Sequence, residues 1–311
     1  MARYSIAIVG VGKITRDQHL PSIAANRSYE LKAVVSGSGA KVEGLPTFKT
    51  QSELFAAFPR LNAVALNMPP QMRHAYAREA LLAGKHVLME KPPTASVAEL
   101  DDLVALAARK KRVLFATWHS QFNKPVYELK RILKRDGVKS LRIDWREDVR
   151  KWHPGQEWVW TPGGFGVFDP GINALSIFTD IMPAPVFVTE ARLDFPGNRK
   201  TPIAAEIGFR MTGSEAKITA GFDWRETSGE VWNMTIETGK GAKIRLENGG
   251  GTLIVNGKVK IRTDDTEYPD IYRRFARLLA AGTSDVDARP LWLVADAFLK
   301  GERRQIEAFE W

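Results

Sequence analysis

The stretch "YSIAIVGVGKIT", residues 4 to 15, constrains the fold of this chain more than any other. Tyr4 to Val9 form a nearly continuous apolar run, which reads as a strand buried on both faces. Gly10 and Gly12 follow, and a helical pattern then continues to about residue 26. A strand covered on both faces needs helices on either side, and strand–helix–strand crossovers supply them. In this position Gly10 allows a tight turn, and Gly12 lets the backbone approach a pyrophosphate, which a helix N-terminus attracts. The third position of the G-x-G-x-x-G/A pattern is Thr15, a departure.

The alternation continues. Strands read at 30–36, near Thr47, and at 62–68, 86–89 and 112–117, with helical patterns at 51–58, 71–83 and 96–110. After about residue 137 alternating strands take over, at 139–149, 185–194, 203–212, 216–224 and 231–238. The hairpin "KIRLENGGGTLIV" and "KVKIRT" follow. One helix interrupts this series at 169–181, and two more at 269–281 and 288–300 close the chain. The second half therefore reads as a mostly antiparallel sheet with helices over part of its area. An open apolar face is expected on it, and a homodimer through that face.

The length of 311 residues suits two domains. No Gly/Ser-rich or Pro-rich linker separates the halves, so close packing is expected. No apolar run approaches the roughly 20 residues of a membrane span, and the first strand begins too early for a signal peptide. Cysteine is absent, which excludes disulfides and thiolate chemistry and fits a cytoplasmic enzyme. The net charge of +9 raises the possibility of nucleic acid. However, the most basic run, Arg109 to Arg112, ends a helix and complements its dipole, and no aromatic–basic interleaving accompanies it. None of the five histidines forms an H-x-x-x-H pair, so no metal is expected.

The second strand ends in Ser36-Gly37-Ser38, with no carboxylate before Glu43. A dinucleotide site that prefers NAD usually places Asp or Glu there, on the ribose 2′-hydroxyl. Hydroxyls and a nearby lysine accept a 2′-phosphate instead, so NADP is expected, with NAD second. At the end of the fifth strand stands "LMEKPPTAS", where two prolines stiffen the chain after Glu90 and Lys91. A lysine fixed at the C-terminal edge of a parallel sheet is placed for chemistry.

"AIVGVGKIT", "LNMPPQMRH", "GKHVLMEKPP" and "GGFGVFDPGIN", in this order, resemble the Gfo/Idh/MocA oxidoreductase family along essentially the whole chain. The resemblance implies an α/β protein. An N-terminal Rossmann dinucleotide-binding domain would span 1–121. A C-terminal α+β domain with a large, mostly antiparallel open sheet would span 122–311, with the closing helices and tail able to pack back on the first domain. It implies that Lys91 is the active-site lysine. It implies a cofactor site of Gly10, Gly12, Lys13, Ile14, Ser36, Gly37, Ser38, Asn67, His74, Glu90 and Lys91. The family's second motif keeps its aspartate as Asp169, but its usual histidine is Asn173 here. An amide is no general base, so that role falls to Asp169 or Lys91. Asp169 and Asn173 are four apart and share a helix face.

The Asn-for-His change, with "WREDVRKWHPGQEWVW" ahead of it, is similar to the family's sugar 1-dehydrogenase branch. The resemblance then implies a substrate pocket of Lys91, His119, Glu147, Trp152, His153, Asp169, Asn173 and Trp232. Trp158 and Trp160 read as core, and His86, inside a strand, as structural. The expected function is NAD(P)-dependent oxidation of an aldose, L-arabinose or D-galactose, at C1. The rivals are an inositol or keto-sugar dehydrogenase of the same fold and a non-catalytic sugar and dinucleotide sensor.

Overall fold

A computed structural model describes residues 3–263 and 267–311. The chain divides into two compact units: Met1–His119 with Glu267–Ala288, and Ser120–Thr266 with Arg289–Trp311.

The first unit is a six-stranded sheet. Its strands are β1 (Tyr4–Val9), β2 (Tyr29–Val35), β3 (Thr47–Phe48), β4 (Ala63–Leu66), β5 (His86–Met89) and β6 (Leu114–Ala116), in the order β3-β2-β1-β4-β5-β6. Every pairing is parallel. β1 lies between β2 and β4, so the chain reverses its direction of build beside the Gly10 turn, where such sheets bind ligands. Ile6, Ile8, Val64, Leu66, Val87 and Leu88 are fully buried, as strands with helices on both faces require.

A π-helical turn, Thr15–His19, leads into α1 (Leu20–Ala24); α2 (Gln51–Ala57), α3 (Pro70–Leu82) and α4 (Val97–Lys110) follow. Ser96 and Glu99 form a capping box at the start of α4, and Arg109 and Lys110 occupy its last turn, where cations suit the dipole. His86 reads correctly as structural: its Nδ1 accepts from the Val113 amide at 2.9 Å.

The second unit begins with α5 (Lys124–Asp136), a helix the sequence reading did not foresee. Its buried Val126, Leu129, Ile132 and Leu133 carry the helical period, which was the available signal. β7 (Val138–Arg146), α6 (Val149–Trp152), α7 (Phe168–Ile181), β8 (Val186–Pro196), β9 (Ala204–Met211) and β10 (Lys217–Asp223) come next. Then come β11 (Val231–Thr238), β12 (Lys243–Glu247), β13 (Thr252–Val255) and β14 (Lys258–Arg262). Past α8 (Glu267–Ala281), which belongs to the first unit, α9 (Arg289–Lys300) and β15 (Gly301–Ile306) close the chain. β15 is also absent from the sequence reading: "GERRQI" is a polar edge strand with no alternation to reveal it.

The nine strands run β14-β13-β12-β11-β7-β10-β9-β8-β15. Six neighbouring pairs are antiparallel, and two, β7 with β10 and β8 with β15, are parallel. Side chains alternate across the central strands of this sheet. Leu141, Ile143, Ile207, Phe209, Ile218 and Met234 are buried on the face that α5, α7 and α9 cover. The opposite face corrects an expectation, because it is charged rather than apolar. Arg142 bridges Asp144 and Glu206, Arg225 pairs with Asp223, and Arg304 pairs with Asp194. Gly221 lets the Arg142–Glu206 pair lie flat on the sheet, since a Cβ there would sit 2.3 Å from Arg142 Nη2.

Candidate active site

The glycine turn is built as its sequence requires. Gly10 has φ +97°, and a Cβ on it would lie 2.9 Å from the Met68 nitrogen, so only glycine fits. A Cβ on Gly12 would meet nothing within 4 Å. That open side, ahead of a helix start, is what a pyrophosphate needs. Thr15, the departure from the pattern, is a fully buried pin. Its hydroxyl donates to the Gly10 carbonyl at 2.7 Å and accepts from Asn67 Nδ2 at 2.9 Å, tying the turn to the end of β4. Asn67 Oδ1 is buried without a hydrogen-bond partner. Lys13 pairs with Asp17, and Ile14 is exposed at the helix start.

After β2, the Ser36 and Ser38 hydroxyls are 3.2 Å apart. Arg16 reaches the same loop, its guanidinium donating to the Lys41 carbonyl at 3.0 Å. Sequence reasoning missed Arg16; its place one helical turn after Gly12 was the available signal. The Gly12 opening and this hydroxyl-bearing, cation-flanked loop fit a nicotinamide dinucleotide, with its pyrophosphate at the turn and its ribose at the loop.

At the end of β5, Lys91 rides on a clamped turn. Arg73 of α3, itself buried, donates to the Glu90 carbonyl at 2.6 Å and to the Pro92 carbonyl. The Lys91 amide donates to Glu90 Oε2 at 3.1 Å. Glu90 is buried and lies 3.1 Å from His19 Nε2, while His19 Nδ1 meets the Tyr272 hydroxyl at 2.8 Å. Tyr268 also bonds to Glu90. Burial would push the Glu90 carboxyl up; the His19 hydrogen bond and charge, with His119 and Arg73, outweigh it and hold the group at about 2.

Neither His19 nor Arg73 was foreseen. The π-helical turn that aims His19 inward is invisible in sequence, and Arg73 sits beside the residue that sequence favoured. His74 faces α4, with its Nε2 2.9 Å from Asp102 Oδ2. His119 closes the first unit, its Nδ1 2.6 Å from Glu267 Oε2. Burial opposes charge on this ring, but the carboxylates of Glu267 and Glu90 prevail over that and over Lys91, and its pKa is raised.

The second unit gathers the other candidates. Asp169 is in the first turn of α7, buried, and Asn173 follows one turn later. The glycine motif ahead of them is steric. A Cβ on Gly164 would lie 2.0 Å from the Trp158 carbonyl, and one on Gly166 would lie 2.3 Å from that of Pro202. Phe165 is held at φ +69°, a strained value for a residue with a side chain. This tight crossing packs the 3-10 turn Glu157–Trp160 against the glycine segment ahead of α7.

His153, at the end of α6, places its Nε2 3.1 Å from Asp169 Oδ2. Glu147, after β7, is buried with each oxygen engaged by an indole: Trp224 Nε1 at 3.2 Å and Trp232 Nε1 at 2.9 Å. Trp152, 38% exposed, packs on Trp232 with ring centres 5.5 Å apart. Trp160 is core as expected, but Trp158 is only half-buried and its N–H donates to Gln156. Trp224 was missed, although the alternation along β10 predicted an inward residue there.

An indole-walled carboxylate beside an Asp–His pair suits a polyhydroxylated substrate: flat apolar rings for C–H faces and fixed acceptors for hydroxyls. Residues 4–117 match the model of the oxidoreductase family with an NAD-binding Rossmann fold, Gfo/Idh/MocA. A galactose 1-dehydrogenase of Pseudomonas fluorescens is 42% identical over 306 residues, 98% of each chain. The crystal structure of D-galactose-1-dehydrogenase from Rhizobium etli superposes with a TM-score of 0.95 at 49% identity, covering 100% of this chain and 99% of that one. A 3-ketoreductase of Actinomadura kijaniata, solved with NADP and TDP-benzene, shares the fold at TM-score 0.86 and 15% identity, covering 98% and 99%. Turn, clamped lysine and whole-length similarity agree, and the chain belongs to the Gfo/Idh/MocA family of oxidoreductases.

Proposed function

We propose that this enzyme is an NAD(P)-dependent aldose 1-dehydrogenase that oxidises D-galactose, L-arabinose or both at C1 to the lactone, with NADP preferred. The observation that carries this reading is the similarity, end to end, to two galactose 1-dehydrogenases. The site chemistry supports it. The nicotinamide, when bound, accepts a hydride from C1. As the C1–H electron pair leaves, the ring oxygen shares the positive charge, and the C1–O bond becomes a carbonyl. Asp169 takes the C1 hydroxyl proton, and Asn173 and Lys91 orient that hydroxyl. Glu147, oriented by its two indoles, accepts sugar hydroxyls, and Trp152 lies against C–H bonds.

L-Arabinopyranose and D-galactopyranose share hydroxyl orientations at C2, C3 and C4, so one pocket serves both. D-Glucose inverts C4, and a misplaced hydroxyl leaves buried groups unpaired at about 1–3 kcal/mol. NADP preference is supported by Ser36, Ser38, Arg16 and Lys41, with no carboxylate in the loop before Glu43. A homodimer through the open sheet belongs to the same reading. Its support is an open face carrying both charge signs, and a monomer in light scattering at micromolar concentration would remove it.

The decisive assay is absorbance at 340 nm with purified protein, NADP or NAD, and a panel of aldoses and inositols. Turnover of galactose or arabinose with glucose weak is the expected result. Turnover of inositols alone would move the chemistry off C1, and no turnover at all would favour a sensor.

A further inference from the structure

The segment His153-Pro154-Gly155-Gln156 is a tight turn, with the Gln156 amide donating to the His153 carbonyl at 3.1 Å. Gly155 has φ +66°, so Pro154 and Gly155 are the proline and glycine that a type II turn calls for. The turn brings Gln156 back onto the imidazole of His153. One Gln156 atom, Oε1, serves two neighbours: it lies 2.9 Å from Trp158 Nε1 and 3.3 Å from His153 Nδ1.

An indole nitrogen can only donate, so the amide atom facing it is the carbonyl oxygen and not the NH₂ group. That oxygen can only accept, so Nδ1 of His153 must carry a hydrogen. The other ring nitrogen, Nε2, is 3.1 Å from Asp169 Oδ2. The common neutral arrangement, with the ring hydrogen on Nε2 donating to the carboxylate, would set a bare Nδ1 against the Gln156 oxygen.

We propose that Gln156, oriented by Trp158, is a positioning residue that fixes the His153 tautomer, so that the His153–Asp169 pair holds a proton of its own between Nε2 and Oδ2. This deepens the reading of Asp169 as proton acceptor and rests on it. His153 then acts as a donor toward Asp169, keeping that carboxylate ionised and oriented. It does not replace the base that Asn173 cannot be. During turnover the C1 hydroxyl proton adds to a pair that already holds one, and the extra proton leaves to solvent before the next cycle. Asp169 of α7 is the charged group against the ring; Glu147 lies one indole away, behind Trp224, whose ring centre is 5.4 Å from that of His153. Trp158, edge-on at 5.8 Å, is neutral.

The test is ¹⁵N-histidine NMR of the whole protein without substrate, with the His153 signal assigned by its loss in His153→Asn. Wild-type His153 should show a protonated Nδ1 at every pH sampled. A neutral ring protonated at Nε2 instead would overturn the proposal. Gln156→Leu, which deletes the acceptor, should let that Nε2–H form appear and should displace a limb of the kcat/KM–pH profile. Gln156→Glu, which keeps an acceptor, should restore the Nδ1–H form. Superimposable profiles for wild type and Gln156→Leu would equally overturn it. The NMR arm needs no turnover, so it stands or falls apart from the choice of substrate.

Discussion

Nε2 of His153 lies 3.1 Å from Oδ2 of Asp169, so the carboxylate proposed as proton acceptor is held by a ring at the end of α6. Asp169 as proton acceptor and Asn173 as orienting amide therefore separate by size of effect. Asp169→Ala should lower kcat by about 10²–10⁴-fold. Asn173→Ala, which removes one hydrogen bond to a polar intermediate, should lower it by about tenfold. Steady-state kinetics at saturating cofactor distinguishes them, and near-normal kcat in both variants would remove the assignment.

The Glu147 carboxylate is aimed by two indoles, of which Trp232 is the more accessible. Trp232→Phe keeps the ring area and deletes one N–H. The expected outcome is a KM for the sugar raised about tenfold, equivalent to one lost hydrogen bond at about 1.4 kcal/mol. The melting temperature should barely move. Trp224→Phe, inside the core, should lower both affinity and Tm.

The proposed NADP preference rests on the loop after β2. The ratio of kcat/KM for NADP to that for NAD is expected to be at least one. Ser38→Asp should reduce it by repelling a 2′-phosphate, and Arg16→Ala should raise KM for NADP while leaving NAD nearly unchanged. A wild-type enzyme that clearly prefers NAD would overturn this reading of the loop.

Glu90 gives the fold a pH dependence of known sign. Its carboxyl is held at about 2, below the ordinary 4.5, so the stability it contributes is present above pH 4.5 and is lost as the pH falls toward 2. Thermal melts between pH 2 and 6 should show this decline. Glu90→Gln should flatten it, and should cost about 1–3 kcal/mol at neutral pH by leaving the buried His19 and tyrosine donors poorly paired. An unchanged slope in the variant would show that another carboxylate is responsible.

The sequence by itself determined the elements whose signals are local. Continuous apolar strands with helices between them required the parallel sheet; Gly10 and Gly12 marked its turn, and the E-K-P run marked the lysine. Alternation marked the strands of the second sheet, because a half-buried strand must repeat every two residues. Tertiary structure decided what depends on residues distant in the chain. Only folding brings His19, through a π-helical turn, to Glu90, or sets His153 against Asp169. The charge of the open sheet face was equally hidden. The sequence reading expected an apolar face there, and only the register of β7, β9 and β10 lays Arg142 across Gly221 to Glu206. Apolar burial follows from composition along a single element, whereas polar pairing depends on distances of about 3 Å that the whole fold must supply.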